Sequence, residues 1–306
     1  MVLFLLFLLI VLVVICIWSM QKTKSGKWSN WGKNQTCQPR KIWYPENLEE
    51  LKTILKEAYN KKINVRAYGA GHSWSNIVPT SGYLINTDRL NRLLEVDLEK
   101  NQVRIEAGMP LHELNRYLEE QGLALQNLGR VTVQSIAGAT ATGTHGTGHT
   151  ATLASFITEV ELLSADGTLH TISSTQNASW LQAARLSLGG LGIIYSLQIQ
   201  CEARFVLEDH CFITEPDELF ENHEKILKTY DYWMFEWNPY TQKALSYVWT
   251  RTHLPADNYP FAPFFSALKE VTFNALTILF RPFSKCTPAL INLRFWFTAH
   301  PIQRKE

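Results

Sequence analysis

The sequence has few cysteines, no excess of charge of either sign and neither of the common nucleotide-binding glycine motifs. Its five cysteines are scattered without a Cys-x-x-Cys pair, so we expect neither a zinc site nor a disulfide framework. The 29 basic and 28 acidic residues leave a net charge of +1, which argues against nucleic acid as a partner. The glycine turns match neither a Walker loop nor Gly-x-Gly-x-x-Gly, which disfavours classical dinucleotide binding. Small molecules are therefore the expected partners.

Residues 2–18 form an uninterrupted apolar run, near the short limit of about 17 to 25 residues for a spanning helix. A cleaved signal peptide is the competing interpretation, but no basic region precedes the run and no small-x-small cleavage site follows Trp18. We therefore predict an N-terminal transmembrane anchor at residues 1–20, followed by a polar linker at residues 21–40. Membrane lipid is then an expected partner, and an endomembrane such as the endoplasmic reticulum suits such an anchor.

Two signals conflict over the side of the membrane on which the main part of the chain lies. Lys22, Lys24 and Lys27 follow the apolar run and nothing basic precedes it, so the positive-inside rule favours the cytoplasmic side. Two Asn-x-Ser/Thr sequons, at Asn34 and Asn177, would matter only in a lumenal domain. Because such triplets arise often by chance, we favour the cytoplasmic side slightly.

The hydrophobic periodicity predicts a mixed α and β domain in the first two thirds of the chain. A helix that opens at Asn47 precedes the strand carrying Val65, and an Ala165-Asp166-Gly167 turn marks a hairpin. The other predicted elements are strands at residues 83–87, 93–97, 102–107 and 193–201, a helix from Pro110 to Gln121, and an Asn177-capped helix with Trp180, Leu181 and Ala184 inward.

From Glu208 the sequence becomes rich in tryptophan, phenylalanine and tyrosine. Two strands are predicted around an Asn238-Pro239 turn. Residues 261–283 are apolar and aromatic, but Lys269 and Glu270 interrupt the run, and the clean part is too short to span a bilayer. A buried helix is therefore predicted there.

The stretch Val65–Ser75 presents a histidine directly after a glycine turn. Gly69 and Gly71 have no side chain, so the backbone can turn tightly and approach a ligand closely. A lone histidine in such a place, here His72, is most often a structural or surface residue. A second segment, Ser135–Gly148, is dense in Gly, Ala and Thr, which leaves backbone N–H groups and hydroxyls free to face phosphate oxygens. The alternative for this segment is a packing corner of small residues.

Catalytic and metal-binding arrangements are not evident from residue spacing. His145 and His149 are four positions apart, which would suit a metal ion if the segment were helical. The glycines around them argue against a helix, so no metal site is expected. A Ser-His-Asp or Cys-His arrangement cannot be placed by spacing, because such triads are recognised by geometry.

Three motifs, in their order and spacing, carry a family resemblance: VRAYGAGHSWS from Val65, SIAGATATGTHGTG from Ser135 and SLGGLGIIYSLQ from Ser187. They resemble the FAD-binding (PCMH-type) domain of the vanillyl-alcohol oxidase-type flavoproteins. The most similar members are the sugar-1,4-lactone oxidases, meaning L-gulonolactone and D-arabinono-1,4-lactone oxidases, and alditol oxidase is a close relation. The resemblance implies an α+β fold with a two-subdomain FAD-binding domain at residues 41–207, then the start of an α+β substrate (cap) domain at residues 208–306.

The resemblance also implies roles for individual residues. His72 matches the histidine that these oxidases link covalently to the 8α-methyl carbon of the flavin. Gly129 matches a glycine that leaves oxygen access to the flavin. The pyrophosphate turn is matched by Gly69, Ala70, Gly71 and Ser73, and a residue near the flavin ring by Ser135. The loop along the cofactor is matched by Thr140, Gly143, Thr147, Gly148 and His149. Backbone contacts to the cofactor are matched by Ile193 and Ile194.

The implied activity is that of an FAD-dependent oxidoreductase of the ascorbate-forming type. Hydride would pass from a substrate carbon bearing a hydroxyl to flavin N5, and oxygen would reoxidise the flavin to give hydrogen peroxide. The implied partners are a sugar lactone or polyol and molecular oxygen.

The second half of the chain departs from the family pattern. Relatives carry, near their C-terminus, a Glu-x-Arg pair on a substrate-domain strand and a later His-Trp-x-Lys motif, and neither is found after Glu208. Glu236 has no arginine two places on. The catalytic residues are therefore unknown. The alternative expectations are a truncated, catalytically inactive flavin-binding protein and a membrane-tethered scaffold that binds no cofactor.

Overall fold

The computed structural model describes residues 26–149, 152–238, 243–253, 255, 271–276, 278, 288–291 and 304–305. The predicted anchor at residues 1–20 lies outside this part of the chain. Within the described residues, no helix is both long enough and apolar enough to cross a membrane. The described chain divides into two compact units. The first holds residues 26–117, 130–144 and 152–201, and the second holds residues 118–129, 145–149 and those from 202 onward.

The first unit contains a small parallel sheet, a larger antiparallel sheet and a short hairpin. Its strands are β1 (Trp28–Ser29), β2 (Thr36–Cys37), β3 (Lys41–Trp43), β4 (Val65–Tyr68), β5 (Tyr83–Asn86), β6 (Leu93–Asp97), β7 (Gln102–Glu106), β9 (Ile157–Leu163), β10 (Leu169–Ser173) and β11 (Ile193–Gln200). The parallel sheet has the order β3-β5-β4, and the antiparallel sheet has the order β10-β9-β11-β7-β6. The strands predicted from the sequence are confirmed, and so is the hairpin of β9 and β10.

Between residues 48 and 229 the α-helices are α1 (Leu48–Asn60), α2 (Leu111–Glu120), α3 (Ile136–Ala141), α4 (Leu181–Arg185), α5 (Pro216–Glu221) and α6 (His223–Thr229). Helix α1 begins where the sequence predicts, because the Asn47 Oδ1 accepts a hydrogen bond from the Glu50 amide at 2.9 Å. Its predicted apolar face is buried in a core cluster, through Leu51, Ile54, Leu55 and Ala58.

Helix α2 also matches its prediction, whereas the helix predicted from Asn177 differs. The apolar stripe of α2 is buried, through Leu111, Leu114 and Leu118. Asn177 adopts a left-handed conformation and its amide donates to the Thr171 carbonyl at 2.8 Å, so it does not cap a helix. A 3-10 turn at Ala178–Trp180 precedes α4, and this turn leaves the Trp180 side chain 56% exposed. The inward direction predicted for Trp180 is wrong, since the register of a full α-helix does not begin until Leu181.

The segment predicted as a linker holds an antiparallel hairpin at residues 28–37. Strands β1 and β2 pair antiparallel, with Trp28 opposite Cys37 and Ser29 opposite Thr36. Trp28 is buried against Tyr68 in an edge-to-face contact, with the ring centroids 5.6 Å apart. This buried tryptophan fixes the hairpin to the first unit.

The second unit is built on a sheet with the order β14-β15-β13-β16. Its strands are β8 (Leu123–Ala124), β12 (Glu202–Ala203), β13 (Val206–Thr214), β14 (Tyr232–Asn238), β15 (Lys243–Thr252) and β16 (Arg304–Lys305). Strands β14 and β15 pair antiparallel, which confirms the two strands predicted on either side of Asn238-Pro239. The tip of that hairpin, residues 239–242, lies outside the described part.

Most of the helix predicted at residues 261–283 also lies outside the described residues. Residues 271–276 are helical, but Val271 is 61% exposed and Ile278 is exposed as well. The prediction of a buried helix is therefore wrong for the described part. Apolar composition favours burial, but it does not say which other part of the chain would cover the helix.

Candidate functional site

An open cleft lies in the first unit, where the three motif segments meet. Eight residues singled out by the sequence line it: Gly69, Ala70, Gly71, His72, Ser73, Ser135, Ile193 and Ile194.

The glycine turn that opens the cleft follows β4 and needs its glycines for two different reasons. A side chain at Gly69 would bring its Cβ to 2.0 Å from the Oγ of Ser135, so this position has no room for one. Gly71 has a φ of +68°, a conformation that side chains rarely adopt. The turn therefore brings main chain, rather than side chains, to the cleft.

The His72 side chain is half-buried at the wall of the cleft. Its imidazole stacks on the Trp31 ring, with the centroids 5.1 Å apart and the planes at 21°. Burial lowers the pKa of the imidazole below its usual value, so the neutral ring dominates at neutral pH. A neutral imidazole keeps a free lone pair on one nitrogen, which is the form that can act as a nucleophile.

The second motif is a helix start rather than the open loop expected from its composition. Helix α3 follows Ser135, and the Thr140 hydroxyl donates to the Ile136 carbonyl at 2.7 Å. The Thr142 hydroxyl donates to the Gly138 carbonyl at 2.9 Å. These hydroxyls are thus bonded to the helix itself instead of being free for phosphate, as is common for threonine within a helical turn.

Two residues predicted from this motif do not line the cleft. Thr140 is fully buried inside the unit. Gly143 follows α3 with a φ of +71°, and a Cβ at this position would lie 3.3 Å from Cδ2 of Leu186. Small residues of the first helical turn, among them Ala137 and Gly138, line the cleft in their place.

The third motif forms the wall opposite the glycine turn and enters strand β11. Gly192 has a φ of +151°, and a Cβ there would meet the Leu163 carbonyl oxygen at 2.2 Å. Ile193 and Ile194 follow; both residues are buried and both line the cleft. Gly189 and Leu188 also line the cleft.

Four predicted residues belong to the second unit. Gly148 pairs with Tyr232, and His149 Nε2 lies 3.2 Å from the Tyr230 carbonyl oxygen. Thr147 accepts a long hydrogen bond from the Trp233 amide at its carbonyl. The cofactor roles of Thr147, Gly148 and His149, and the oxygen-access role of Gly129, stay predictions. The segment that carries His145 and His149 is not helical, as expected from its glycines.

Arg66 is a cleft residue that the sequence reasoning missed. It lies on β4 and lines the cleft, with Nη1 3.5 Å from the Gly189 carbonyl oxygen. No aspartate or glutamate is among the described residues that line the cleft. The available signal was the position of this arginine in the strand that leads into the glycine turn.

These features fit FAD, whose diphosphate is anionic and whose ring systems are flat and largely apolar. A glycine turn without side chains lets the diphosphate approach the main chain, and Arg66 supplies positive charge in a cleft whose described lining holds no aspartate or glutamate. The small and apolar residues of the cleft leave room for flat rings.

Two family profiles match the chain. One, described as an FAD binding domain, matches residues 39–173, and one described as D-arabinono-1,4-lactone oxidase matches residues 197–305. The first match agrees with the cleft, so the cofactor of this chain is FAD. The predicted domain boundary at Leu207 stays a prediction.

The chain is similar in sequence to relatives that are named as sugar-lactone oxidases. L-gulonolactone oxidase of Bos taurus is 36% identical over 233 residues, which cover 76% of this chain and 53% of the relative. D-arabinono-1,4-lactone oxidase of Debaryomyces hansenii is 29% identical over 239 residues, which cover 74% of this chain and 43% of the relative. The chain thus spans about half the length of these relatives.

Solved structures agree on the fold. A cholesterol oxidase variant from Brevibacterium sterolicum matches with a TM-score of 0.72 at 18% identity, covering 92% of this chain and 60% of that one. This likeness shows a mixed α/β FAD-binding fold and nothing about substrate. The two family profiles and the relatives together show that the chain belongs to the sugar-1,4-lactone oxidase family.

Proposed function

We propose that this protein takes part in the FAD-dependent oxidation of a sugar-1,4-lactone of the L-gulonolactone or arabinonolactone type, with oxygen as the electron acceptor. The observation that carries the proposal is the cleft of the first unit, where the glycine turn, Ser135 and the Ile193 corner line one site beside His72. The names of the relatives support the substrate class. A polyol, as in alditol oxidases, is the other candidate substrate.

Bound FAD supplies a two-electron acceptor that takes hydride and passes the electrons on to oxygen. In this chain, the turn at Gly69 and Gly71 offers main-chain groups to the diphosphate, and Arg66 balances its charge. The buried apolar residues Ile193 and Ile194 leave little room for water at one wall of the cleft. His72 holds a neutral imidazole at another wall, where it can bond covalently to the flavin.

The proposal is tested with the purified chain and added FAD. We expect a flavin-loaded protein whose flavin survives acid precipitation, because the His72 bond is covalent. His72→Ala is expected to bind FAD and to release all of it in acid. The matched control is His170→Ala, since His170 is an exposed histidine that does not line the cleft. Unchanged acid-stable flavin in His72→Ala would rule out this attachment point.

Turnover is measured on the same flavin-loaded protein. Hydrogen peroxide formed with L-gulono-1,4-lactone or D-arabinono-1,4-lactone would support lactone oxidation, and peroxide formed with xylitol would favour the polyol. Flavin-loaded protein that forms no peroxide with any of them would favour flavin binding without turnover. A protein that takes up no FAD would contradict the proposal as a whole.

We further propose a single N-terminal membrane anchor with the folded units on the cytoplasmic side. Both sequon amides are engaged within the fold: the Asn34 amide donates to the Trp74 carbonyl at 3.1 Å, and the Asn177 amide donates to the Thr171 carbonyl at 2.8 Å. A glycan at either nitrogen would disturb these bonds. Glycosidase treatment of the full chain from cells should therefore leave its mass unchanged, and a mass loss that disappears in an Asn34→Gln/Asn177→Gln variant would overturn the cytoplasmic placement.

A further inference from the structure

Trp31 has an unusual position for an aromatic residue, because the residue is 63% exposed and yet its ring stacks on His72. The two rings are nearly parallel, at 21°, with centroids 5.1 Å apart. An exposed tryptophan would ordinarily be free to move. Here its main chain is fixed, since the Trp31 amide donates to the Gly71 carbonyl at 2.9 Å.

The hairpin that carries Trp31 donates hydrogen bonds to the carbonyls of Gly71, Ser73 and Trp74, which surround His72 in the chain. The Asn30 amide is buried and donates to the Ser73 carbonyl at 2.9 Å, while its Oδ1 accepts from the Gln35 amide at 3.0 Å. The Asn34 and Gln35 side chains both donate to the Trp74 carbonyl, at 3.1 and 3.2 Å. The hairpin thus binds the carbonyls on both sides of His72 and places a flat ring against its imidazole.

We propose that the hairpin of β1 and β2 acts as a positioning element, in which stacking on Trp31 holds the His72 imidazole in the orientation that bonds to the flavin. This inference rests on the proposed function, because it concerns the same covalent bond. An imidazole without such a neighbour samples about six orientations, from three staggered wells at χ1 and a broad two-fold χ2. Selecting one of them raises the rate of bond formation without any new chemical group.

The bond itself has a defined balance. An imidazole nitrogen of His72 forms a C–N bond at the 8α-methyl carbon as one C–H bond of that methyl group breaks. One proton leaves the carbon and one leaves the imidazole, and the electron pair remains in the flavin ring. Molecular oxygen then takes this electron pair with two protons and becomes hydrogen peroxide. A neutral imidazole is required for the attack, and burial of His72 on the cleft wall favours it.

The experiment compares wild-type protein with Trp31→Ala, Trp31→Phe and Trp31→Leu, each prepared without flavin and mixed with FAD. Total bound flavin and acid-stable flavin are followed over time. For Trp31→Ala we expect bound flavin at the wild-type level and a rate of covalent attachment about sixfold lower, from the loss of one orientation among about six. Trp31→Phe should restore the rate to within about twofold, because a flat ring still stacks. Trp180→Ala is the matched control, being an exposed tryptophan outside the cleft.

Trp31→Leu distinguishes ring stacking on His72 from apolar shielding of His72, since leucine is apolar but not planar. If Trp31→Ala does not fold, a slower rate for Trp31→Leu than for Trp31→Phe supports positioning, and equal rates overturn it. A wild-type attachment rate in Trp31→Ala would also overturn it. The absence of acid-stable flavin in wild-type protein would instead contradict the proposed bond. In that case, NMR titration of His72 without flavin still tests the contact, because loss of Trp31 should raise the imidazole pKa towards its usual value.

Discussion

Replacing Gly69 with alanine is expected to weaken FAD binding by about a hundredfold, or roughly 2.8 kcal/mol. The added Cβ would lie 2.0 Å from the Ser135 Oγ and 2.7 Å from the Ser135 Cβ, distances that atoms do not tolerate. Either the glycine turn or the start of α3 must move, and both line the cleft. Affinity is measured by titrating the protein with FAD and following the quenching of flavin fluorescence.

The clash is specific enough to be relieved by a second change. In the double variant Gly69→Ala/Ser135→Gly, both clashing atoms are gone, so the affinity should return close to that of Ser135→Gly alone. Gly122→Ala is the matched control, because a Cβ at Gly122 meets open space. That control strains a backbone with a φ of +71° and should lower stability by about 1 kcal/mol without changing FAD affinity. Wild-type affinity in Gly69→Ala would show that the turn does not bind the diphosphate.

Much of the fold was predictable because local patterns and the final packing agree. The apolar spacing of α1 and its Asn47 cap act within the helix, and the Ala165-Asp166-Gly167 turn closes a hairpin without help from elsewhere. The hairpin of β1 and β2 was missed because its strands have only two residues each. What orders it is Trp28, buried against Tyr68, and a contact between such distant residues leaves no periodic signal.

In the candidate site, too, the local features could be predicted and the features that depend on distant contacts could not. The glycine turn and His72 could be singled out from sequence, because a missing side chain is itself a local signal. The stack of Trp31 on His72 could not, since it depends on how two loops meet. The composition of the second motif was misleading. Its threonines bond to carbonyls of their own helix once α3 forms, and nothing in the count of small residues distinguishes that outcome from an open loop.

An ion pair between the buried Glu106 carboxylate and the exposed Arg92 guanidinium supports strand β11, which leads away from the cleft. Glu106 is fully buried on β7, where its carboxylate accepts from Arg92 at Nη2 (2.7 Å) and Nε (3.1 Å), and from the Tyr195 hydroxyl at 3.1 Å. Tyr195 directly follows Ile194 at the cleft wall. The carboxylate raises the pKa of the Arg92 guanidinium above its usual value. The Arg92 side chain is 58% exposed, so the cation that neutralises the buried Glu106 carboxylate is itself in contact with solvent.

Arg92→Ala is therefore expected to lower the free energy of unfolding by about 3 kcal/mol, because it leaves a buried carboxylate without its cation. Adding Glu106→Gln should recover part of this loss, since the amide carries no charge and can still accept from Tyr195. Urea unfolding followed by circular dichroism measures both. Arg89→Ala is the matched control, because Arg89 pairs with Glu46 while both side chains are more than half exposed, and it should change stability by no more than about 0.5 kcal/mol. If Arg92→Ala costs as little as Arg89→Ala, the pair does not hold the strand beside the cleft.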